Sequence, residues 1–80
     1  MSWLDIFRNL LNSGNTMATI NTRIKLYCKY NIISSTEKVE IYASLLHEGY
    51  FEETDLDTYI TDGYITEDEK AQILALEATY

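Results

Sequence analysis

The sequence contains no proline, and its only glycines stand at positions 14, 49 and 63. Because proline and glycine are the residues that most often interrupt regular structure, long uninterrupted segments are expected between these positions. A disulfide within the chain is excluded by the single cysteine, Cys28. Cys28 and His47 together are too few ligands for a zinc site unless residues of other types also bind the metal. The lone cysteine also predicts a reducing, intracellular setting.

Long apolar runs are missing as well. No run approaches the roughly 18–20 apolar residues that a membrane span needs. The N-terminus lacks a basic segment followed by an apolar core and a small-residue cleavage site, which a secretory signal would carry. The expected protein therefore neither spans a membrane nor is secreted, and its 80 residues with 46% hydrophobic content suffice for one compact domain.

Positive charge is scarce in the second half of the chain. Residues 1–40 hold five basic and three acidic side chains, a net of +2, whereas residues 41–80 hold one basic and ten acidic, a net of −9. Such an acidic half repels phosphate backbones, so nucleic acid is not expected as a partner. Three interpretations stay open: a solvated acidic face, head-to-tail contact between copies, or docking on a basic partner.

Apolar residues recur at helical spacing in five segments, and the first four segments stop at a residue that tolerates the left-handed conformation. Those stops are Gly14, Asn31, Gly49 and Gly63. The apolar positions are Trp3, Ile6, Phe7, Leu10 and Leu11, then Ile20, Ile24, Tyr27 and Cys28, then Val39, Ile41, Tyr42, Leu45 and Leu46, then Leu56, Tyr59 and Ile60, then Ile73, Leu74, Ala75 and Leu76. The sequence predicts an all-α fold of five short helices.

Two helix starts carry the signature of a capping box, in which a hydroxyl accepts from the backbone N–H three residues on and a glutamate reaches back. The pairs are Ser34 with Glu37 and Thr66 with Glu69. Each such cap is worth about 1 kcal/mol. They predict helices that begin immediately after Ser34 and Thr66.

The chain is expected to form one domain over residues 1–80, with an N-terminal amphipathic helix in 1–13 and helical hairpins in 19–48 and 53–78. The two hairpins resemble each other at an offset of 32 residues, which indicates one hairpin present twice. The matching pairs are Thr22 and Thr54, Ile24 and Leu56, Tyr27 and Tyr59, Asn31 and Gly63, Ile33 and Ile65, Ser34 and Thr66, Glu37 and Glu69, Lys38 and Lys70, Ile41 and Ile73, and Ala43 and Ala75.

The stretch "DGYITEDE" is similar to the second half of a calcium-binding EF-hand loop. Such a loop needs oxygen ligands at positions 1, 3 and 5, a glycine at 6 and a glutamate at 12. With Gly63 at position 6 and Glu69 at position 12, Thr58 falls at position 1 and Ile60 at position 3, so two ligands are missing. We expect no metal here and interpret Glu69 as part of a helix cap.

The stretch "YITDGYITEDEKAQIL" resembles the short XkdX-type proteins of tailed bacteriophages and prophages. The residues that carry the resemblance are Tyr59, Gly63, Tyr64, Ile65, Thr66 and Glu69, within about residues 42–76. It implies a small accessory protein of the phage tail gene module and brings no catalytic residues with it. This chain departs from that pattern in its additional N-terminal helix, its duplicated hairpin and Asn31 in place of a glycine.

Enzymatic chemistry is not indicated by any residue pattern. Cys28 lies between cationic Lys25 and Lys29, which favour a thiolate, but a small core residue is the simpler interpretation. His47 falls near the end of a helix, where a cation is favourable. The acidic pairs and runs fall in first turns of helices, where they stabilise the helix dipole, so acid–base catalysis is not expected. We expect no enzyme and no cofactor.

Aromatic residues supply the candidate protein contacts, because tyrosine is enriched in interfaces. In the first helix they are Trp3 and Phe7 together with Leu10, whose stripe can pack on the hairpins, bind a partner groove or lie on a membrane surface. At the hairpin corners they are Tyr30, Tyr50 and Tyr64.

The sequence thus leads to two functional hypotheses. The first is a non-enzymatic, oligomeric structural or assembly protein of phage type, which contacts itself or other phage structural proteins. The second is a small acidic phage-encoded inhibitor or adaptor that binds a basic surface of a host protein. The expected location is the virion or the host cytoplasm.

Overall fold

The computed structural model describes residues 2–80, and this part of the chain contains helices and turns but no strand. The helices are α1 Trp3–Asn12, α2 Met17–Lys29, α3 Ser35–His47, α4 Asp55–Thr61 and α5 Glu67–Glu77. The predicted all-α fold of five helices is confirmed. Helix α2 begins two residues before residue 19, where the sequence predicted the first hairpin to start.

The first four helices end in the same hydrogen-bonded arrangement. In α1 the N–H of Asn15 donates to the carbonyl of Leu10 at 3.1 Å, and the N–H of Gly14 donates to Leu11 at 3.2 Å. This pair of bonds is the Schellman motif, which requires a residue with positive φ. The residues with positive φ are Gly14, Asn31, Gly49 and Gly63, at 103°, 58°, 85° and 80°. These are the four helix stops that the sequence predicted.

Hydroxyl side chains cap the starts of three helices. Ser2 Oγ accepts from the N–H of Asp5 at 3.2 Å. At α5 the predicted capping box is complete, with Thr66 Oγ1 accepting from the N–H of Glu69 at 3.1 Å and Glu69 Oε1 accepting from the N–H of Thr66 at 2.9 Å. The prediction of a second full box at α3 was wrong in one half.

At α3, Ser34 Oγ accepts from the N–H of Glu37 at 3.1 Å, as predicted. The Glu37 carboxylate lies 3.4 Å from the Ser34 hydroxyl, which donates to it, and does not accept from the Ser34 backbone N–H. The exposed Glu37 side chain thus contacts the hydroxyl and not the backbone, so the Ser34 cap is formed from one side only.

Helix α3 is the centre of the fold. It packs mainly on α5 and also contacts α1 and α2, while α4 contacts α5. The buried apolar residues are Phe7, Ile20, Ile24, Ile33, Val39, Ile41, Tyr42, Ala43, Leu45, Phe51, Leu56, Tyr59, Ile65 and Ile73. They form one cluster to which every helix contributes, so the two predicted hairpins share a single core.

A polar pair lies inside this core. Tyr42 is fully buried and its hydroxyl donates to Asn21 Oδ1 at 2.6 Å, and Asn21 is itself buried. Burial raises the pKa of the Tyr42 hydroxyl well above its ordinary value of about 10, because the ionised form would lose its hydration. The pair links α2 to α3 and gives both polar groups a partner.

Ion pairs join helices at the edges of the core. Arg8 holds Glu48 through two bonds, Nε to Oε1 at 2.6 Å and Nη2 to Oε2 at 2.7 Å, and so connects α1 to the end of α3. Lys38 Nζ lies 3.0 Å from Glu69 Oε1 and ties α3 to the start of α5. Lys70 and Asp57, 2.6 Å apart, join α5 to α4.

The two turns that begin α3 and α5 have matching hydrogen bonds at the offset of 32 residues. The N–H of Ile32 donates to Tyr27 at 2.8 Å, and the N–H of Tyr64 donates to Tyr59 at 2.9 Å. The helices before these turns differ, since α2 has 13 residues and α4 has 7. Equivalence of the complete hairpins therefore stays a prediction.

Candidate protein-contact surface

The three predicted contact residues of α1 lie against the core. Phe7 is fully buried, so its assignment as a partner contact is corrected to a core role. Its ring centroid is 5.9 Å from that of Trp3 and 6.3 Å from that of Tyr27, which places α1 on α2. Trp3 and Leu10 are half-buried and pack on the same cluster. Of the three interpretations of this helix, the structure supports packing on the hairpins.

The three corner tyrosines have different surroundings. Tyr50 is half-buried and its hydroxyl donates to Asn12 Oδ1 at 2.8 Å. The half-buried ring of Tyr64 has Lys25 Nζ at 5.6 Å from its centroid. Tyr30 is 63% exposed, which is the highest value among the large apolar and aromatic side chains of residues 2–80. Tyr30 is thus the predicted contact residue that is most available to a partner.

Tyr30 belongs to a row of exposed residues on α2. Residues four positions apart lie on one side of a helix, so Ala18, Thr22, Leu26 and the adjoining Tyr30 follow one line along α2, and all four are exposed. Leu26 is 46% exposed, which is high for a leucine in a folded domain. We call this line and the exposed residues beside it the α2 face.

The α2 face is apolar along its middle. A shallow groove of about 520 Å³ runs along it, lined by Ala18, Thr19, Thr22, Arg23, Leu26 and Tyr27. Thr22 Oγ1 donates to the carbonyl of Ala18 at 3.0 Å, so its hydroxyl is already satisfied within the helix. The row therefore offers methyl groups at its start and larger apolar groups, Leu26 and Tyr30, at its end.

Cations flank this row. Lys25 and Lys29 lie on one side of it and Arg23 on the other, and α2 has no acidic residue. The other three cations of the chain, Arg8, Lys38 and Lys70, are paired with carboxylates, whereas in residues 2–80 none of the α2 cations has a carboxylate within 4.0 Å. Lys29 instead lies 5.7 Å from the ring centroid of Tyr30. The free positive charge of the described chain is concentrated on one helix.

Two further depressions lie elsewhere. One, of about 330 Å³, lies where α1, α3 and the C-terminal residues meet, and its lining includes Trp3, Ile41 and Tyr80. The other, of about 380 Å³, lies beside Cys28 and the Lys38–Glu69 pair. Burial raises the pKa of the Cys28 thiol, which lowers its nucleophilicity at neutral pH. This fits the predicted role of Cys28 as a packing residue.

His47 lies at the end of α3, as predicted, and Nδ1 is 3.5 Å from Glu77 Oε1. Its ring meets that of Tyr80 edge-on at 5.5 Å. The acidic residues of the first turns lie at the starts of α4 and α5, where the sequence placed them. Within residues 2–80 no three His, Cys, Asp or Glu side chains are grouped so that they could hold a metal ion.

No family model, curated protein or solved structure matches the chain. The resemblance to XkdX-type proteins therefore stays a prediction. Across residues 2–80, every helix is too short or too polar to cross a membrane.

Sequence reasoning did not identify Leu26, which lies at the middle of the α2 face. Its spacing in the sequence could have identified it. Leu26 stands four residues after Thr22 and four before Tyr30, on the side of α2 opposite Ile20 and Ile24. That spacing sets Leu26 apart from the buried stripe, and an apolar residue away from the buried stripe is a candidate contact.

Proposed function

We propose that this protein is a non-enzymatic structural or assembly protein of phage type, which acts through protein–protein contacts made by the α2 face. The proposed location is the virion or the host cytoplasm during assembly. The observation that carries the proposal is the α2 face itself, where Leu26 and Tyr30 are exposed beside cations that have no carboxylate partner within residues 2–80.

The composition of the α2 face supports a protein partner. Interfaces have an apolar centre with aromatic anchors and a charged rim, and tyrosine and arginine are over-represented among the residues that dominate binding. The α2 face has this arrangement, with Leu26 and Tyr30 in its apolar row and Lys25, Lys29 and Arg23 on either side of the row. The groove beside Leu26 is shallow, which suits a protein surface better than a small molecule.

The phage assignment rests on the resemblance of the segment around Gly63 to the XkdX-type proteins. The structure is compatible with it, because the matching residues form the turn and cap that begin α5. A turn and a cap are structural features, so the assignment to phage particles needs its own experiment.

The experiment compares tagged variants in phage particles produced by a strain that carries the gene. Particles are purified by density gradient, and the amount of tagged chain per particle is measured by quantitative mass spectrometry. We expect Leu26→Glu to reduce that amount at least about tenfold, because a buried charge at the centre of an interface costs more than about 1.4 kcal/mol. Leu26 is already half exposed, so the variant should fold.

Thr58→Glu is the matched control. Thr58 is exposed on α4, so the substitution adds the same charge away from the α2 face. It should be retained in particles as the wild type is. Absence of the wild-type chain from particles would refute the phage-structural function. Equal retention of both variants would show that the α2 face is not the contact.

A further inference from the structure

We propose that the partner of the α2 face is a second copy of this chain, and that α2 of one copy packs antiparallel on the exposed face of α5 of the other. The inference rests on the proposed function, since it names the partner of the same contact surface. It is argued from the spacing of small and large residues and from charge complementarity between the two helices.

Within residues 2–80, helix α5 has an exposed face that no other helix covers. Ile73 faces the core, while the residues on the outer side are all exposed. Those residues are Glu67, Asp68, Ala71, Gln72 and Ala75. Glu67, Ala71 and Ala75 are each four residues apart, so they form one line along α5. This line begins at the acidic first turn and continues with two alanines.

The residue spacing of the two faces matches in an antiparallel arrangement. With a rise of 1.5 Å per residue, Thr22 and Leu26 are about 6 Å apart along their helix, as are Ala75 and Ala71. When Leu26 lies opposite Ala71, Thr22 therefore lies opposite Ala75. The larger side chain then faces the smaller one, and helices that meet through small residues can approach closely.

The same register brings opposite charges together. Lys29 lies about 4.5 Å beyond Leu26, and Glu67 lies about 6 Å beyond Ala71 in the same direction and on the same side of the contact. Asp68 lies on the other side of the row, next to Tyr30, whose hydroxyl can donate to it. A parallel arrangement places Glu67 beside Thr22 and Arg23 instead. Lys29 and Tyr30 then lie near Ala75 without a carboxylate opposite them, so the antiparallel arrangement is the one that gives both an acidic partner.

The net charge of −7 does not prevent this contact. At physiological salt the Debye length is about 8 Å, whereas the molecule measures 27 × 26 × 22 Å. Charges on the far side of each copy are therefore screened, and the attraction between the cations of α2 and the carboxylates of α5 decides the local balance. The contact should weaken as salt is added.

The contact joins different surfaces of the two copies, so it is heterologous. The pair of copies retains one free α5 face on the first copy and one free α2 face on the second, so further copies can add head to tail into a ring or a filament. A stable contact needs about 800 Å² from each partner. Both faces together would take about a third of the 4758 Å² surface of the chain.

Charge reversal tests the pairing directly. One variant carries Lys25→Glu and Lys29→Glu on α2, and a second carries Glu67→Lys and Asp68→Lys on α5. Each is measured by light scattering after size exclusion and by sedimentation velocity, at 0.05 M and 0.5 M salt, with circular dichroism to show that the helices remain. The matched control is Glu52→Lys with Glu53→Lys, which reverses two exposed carboxylates outside both faces.

We expect the wild type and the control to exceed the monomer mass of 9.3 kDa as concentration rises. Each reversed variant alone should remain monomeric, with association weakened at least tenfold. An equimolar mixture of the two should associate again, because the unchanged basic α2 of the second variant can pair with the unchanged acidic α5 of the first, and the acidic α2 of the first can pair with the basic α5 of the second. A monomeric wild type, or a mixture that stays monomeric, would overturn the proposal.

The two proposals fail in different experiments. A monomeric wild type that is still found in particles, and is lost from them in Leu26→Glu, refutes the self-contact and leaves the proposed function standing. A wild type that associates with the expected charge dependence but is missing from particles keeps the self-contact and refutes the phage function.

Discussion

Replacing Tyr42 with phenylalanine tests whether the buried polar pair holds the fold together. Tyr42→Phe removes one hydroxyl and leaves the ring in place against Phe51 and Tyr59, whose centroids lie 6.1 and 6.0 Å away. Asn21 Oδ1 then loses the donor that lies at 2.6 Å, inside a part of the protein that water does not reach. The change is small in shape and large in polarity.

The expected loss of stability follows from the cost of leaving Asn21 Oδ1 buried without a hydrogen-bond donor. A buried acceptor without a partner costs about 1–3 kcal/mol. A single core in a chain of this length supplies only about 3–5 kcal/mol in total. A change of 1 kcal/mol shifts the melting temperature of a domain of this size by about 4–8 °C, so we expect Tyr42→Phe to melt at least about 4 °C below the wild type.

The assay is thermal and urea unfolding followed by circular dichroism. Tyr30→Phe is the matched control, because the Tyr30 ring is exposed and, within residues 2–80, its hydroxyl has no hydrogen-bond partner. At a protein concentration where the wild type is monomeric, it should unfold within about 0.5 kcal/mol of the wild type. Combining Tyr42→Phe with Asn21→Leu removes both polar groups and should recover part of the loss. A Tyr42→Phe variant as stable as Tyr30→Phe would refute the reasoning.

Two further predictions concern a turn and an ion pair. Asn31 has a φ of 58°, a conformation that glycine adopts freely and alanine does not. Asn31→Gly should therefore raise the melting temperature measured by circular dichroism, and Asn31→Ala should lower it, each by the equivalent of about 1 kcal/mol. Equal stabilities of the three proteins would contradict this reasoning. The hydrogen bonds from Arg8 lower the pKa of Glu48, so this pair stabilises the fold above the ordinary glutamate pKa of about 4.3 and loses that effect as the pH falls through the lowered pKa. Urea unfolding should therefore find Glu48→Gln less stable than the wild type by up to about 1 kcal/mol at pH 7 and equal to it in strong acid; a constant difference would refute the pairing.

The helix ends were predictable from sequence because they depend on neighbouring residues. A left-handed stop such as Asn31, or a cap such as Thr66, acts within five or six positions of the chain, and its chemistry is visible in a short stretch. The half-formed cap at Ser34 shows the limit of this reasoning. Whether the Glu37 side chain turns to the backbone or to the hydroxyl depends on a small difference in an exposed side chain.

The interior and the contact surface depend on residues far apart in sequence. Asn21 is polar and lies in a helix, which from sequence alone indicates a surface position. It is buried because it packs against Tyr42, 21 residues away, whose hydroxyl lies 2.6 Å from its Oδ1. The link between Arg8 and Glu48 spans 40 residues. Phe7 was divided between core and contact because one apolar stripe serves either role until its neighbours are known.

The same turn geometry serves two helices that present opposite chemistry. At the offset of 32 residues, the α2 face corresponds to acidic or polar residues of α4 and the turn after it. The corresponding pairs are Lys25 and Asp57, Leu26 and Thr58, Lys29 and Thr61, and Tyr30 and Asp62. The turns keep the hydrogen bonds that hold α3 and α5 in place, whereas the outward residues before them differ in charge and polarity. In this chain one such surface is cationic and apolar, and the acidic residues are concentrated in the other half. Head-to-tail contact between copies requires this asymmetry, and two hairpins with identical outer faces would lack it.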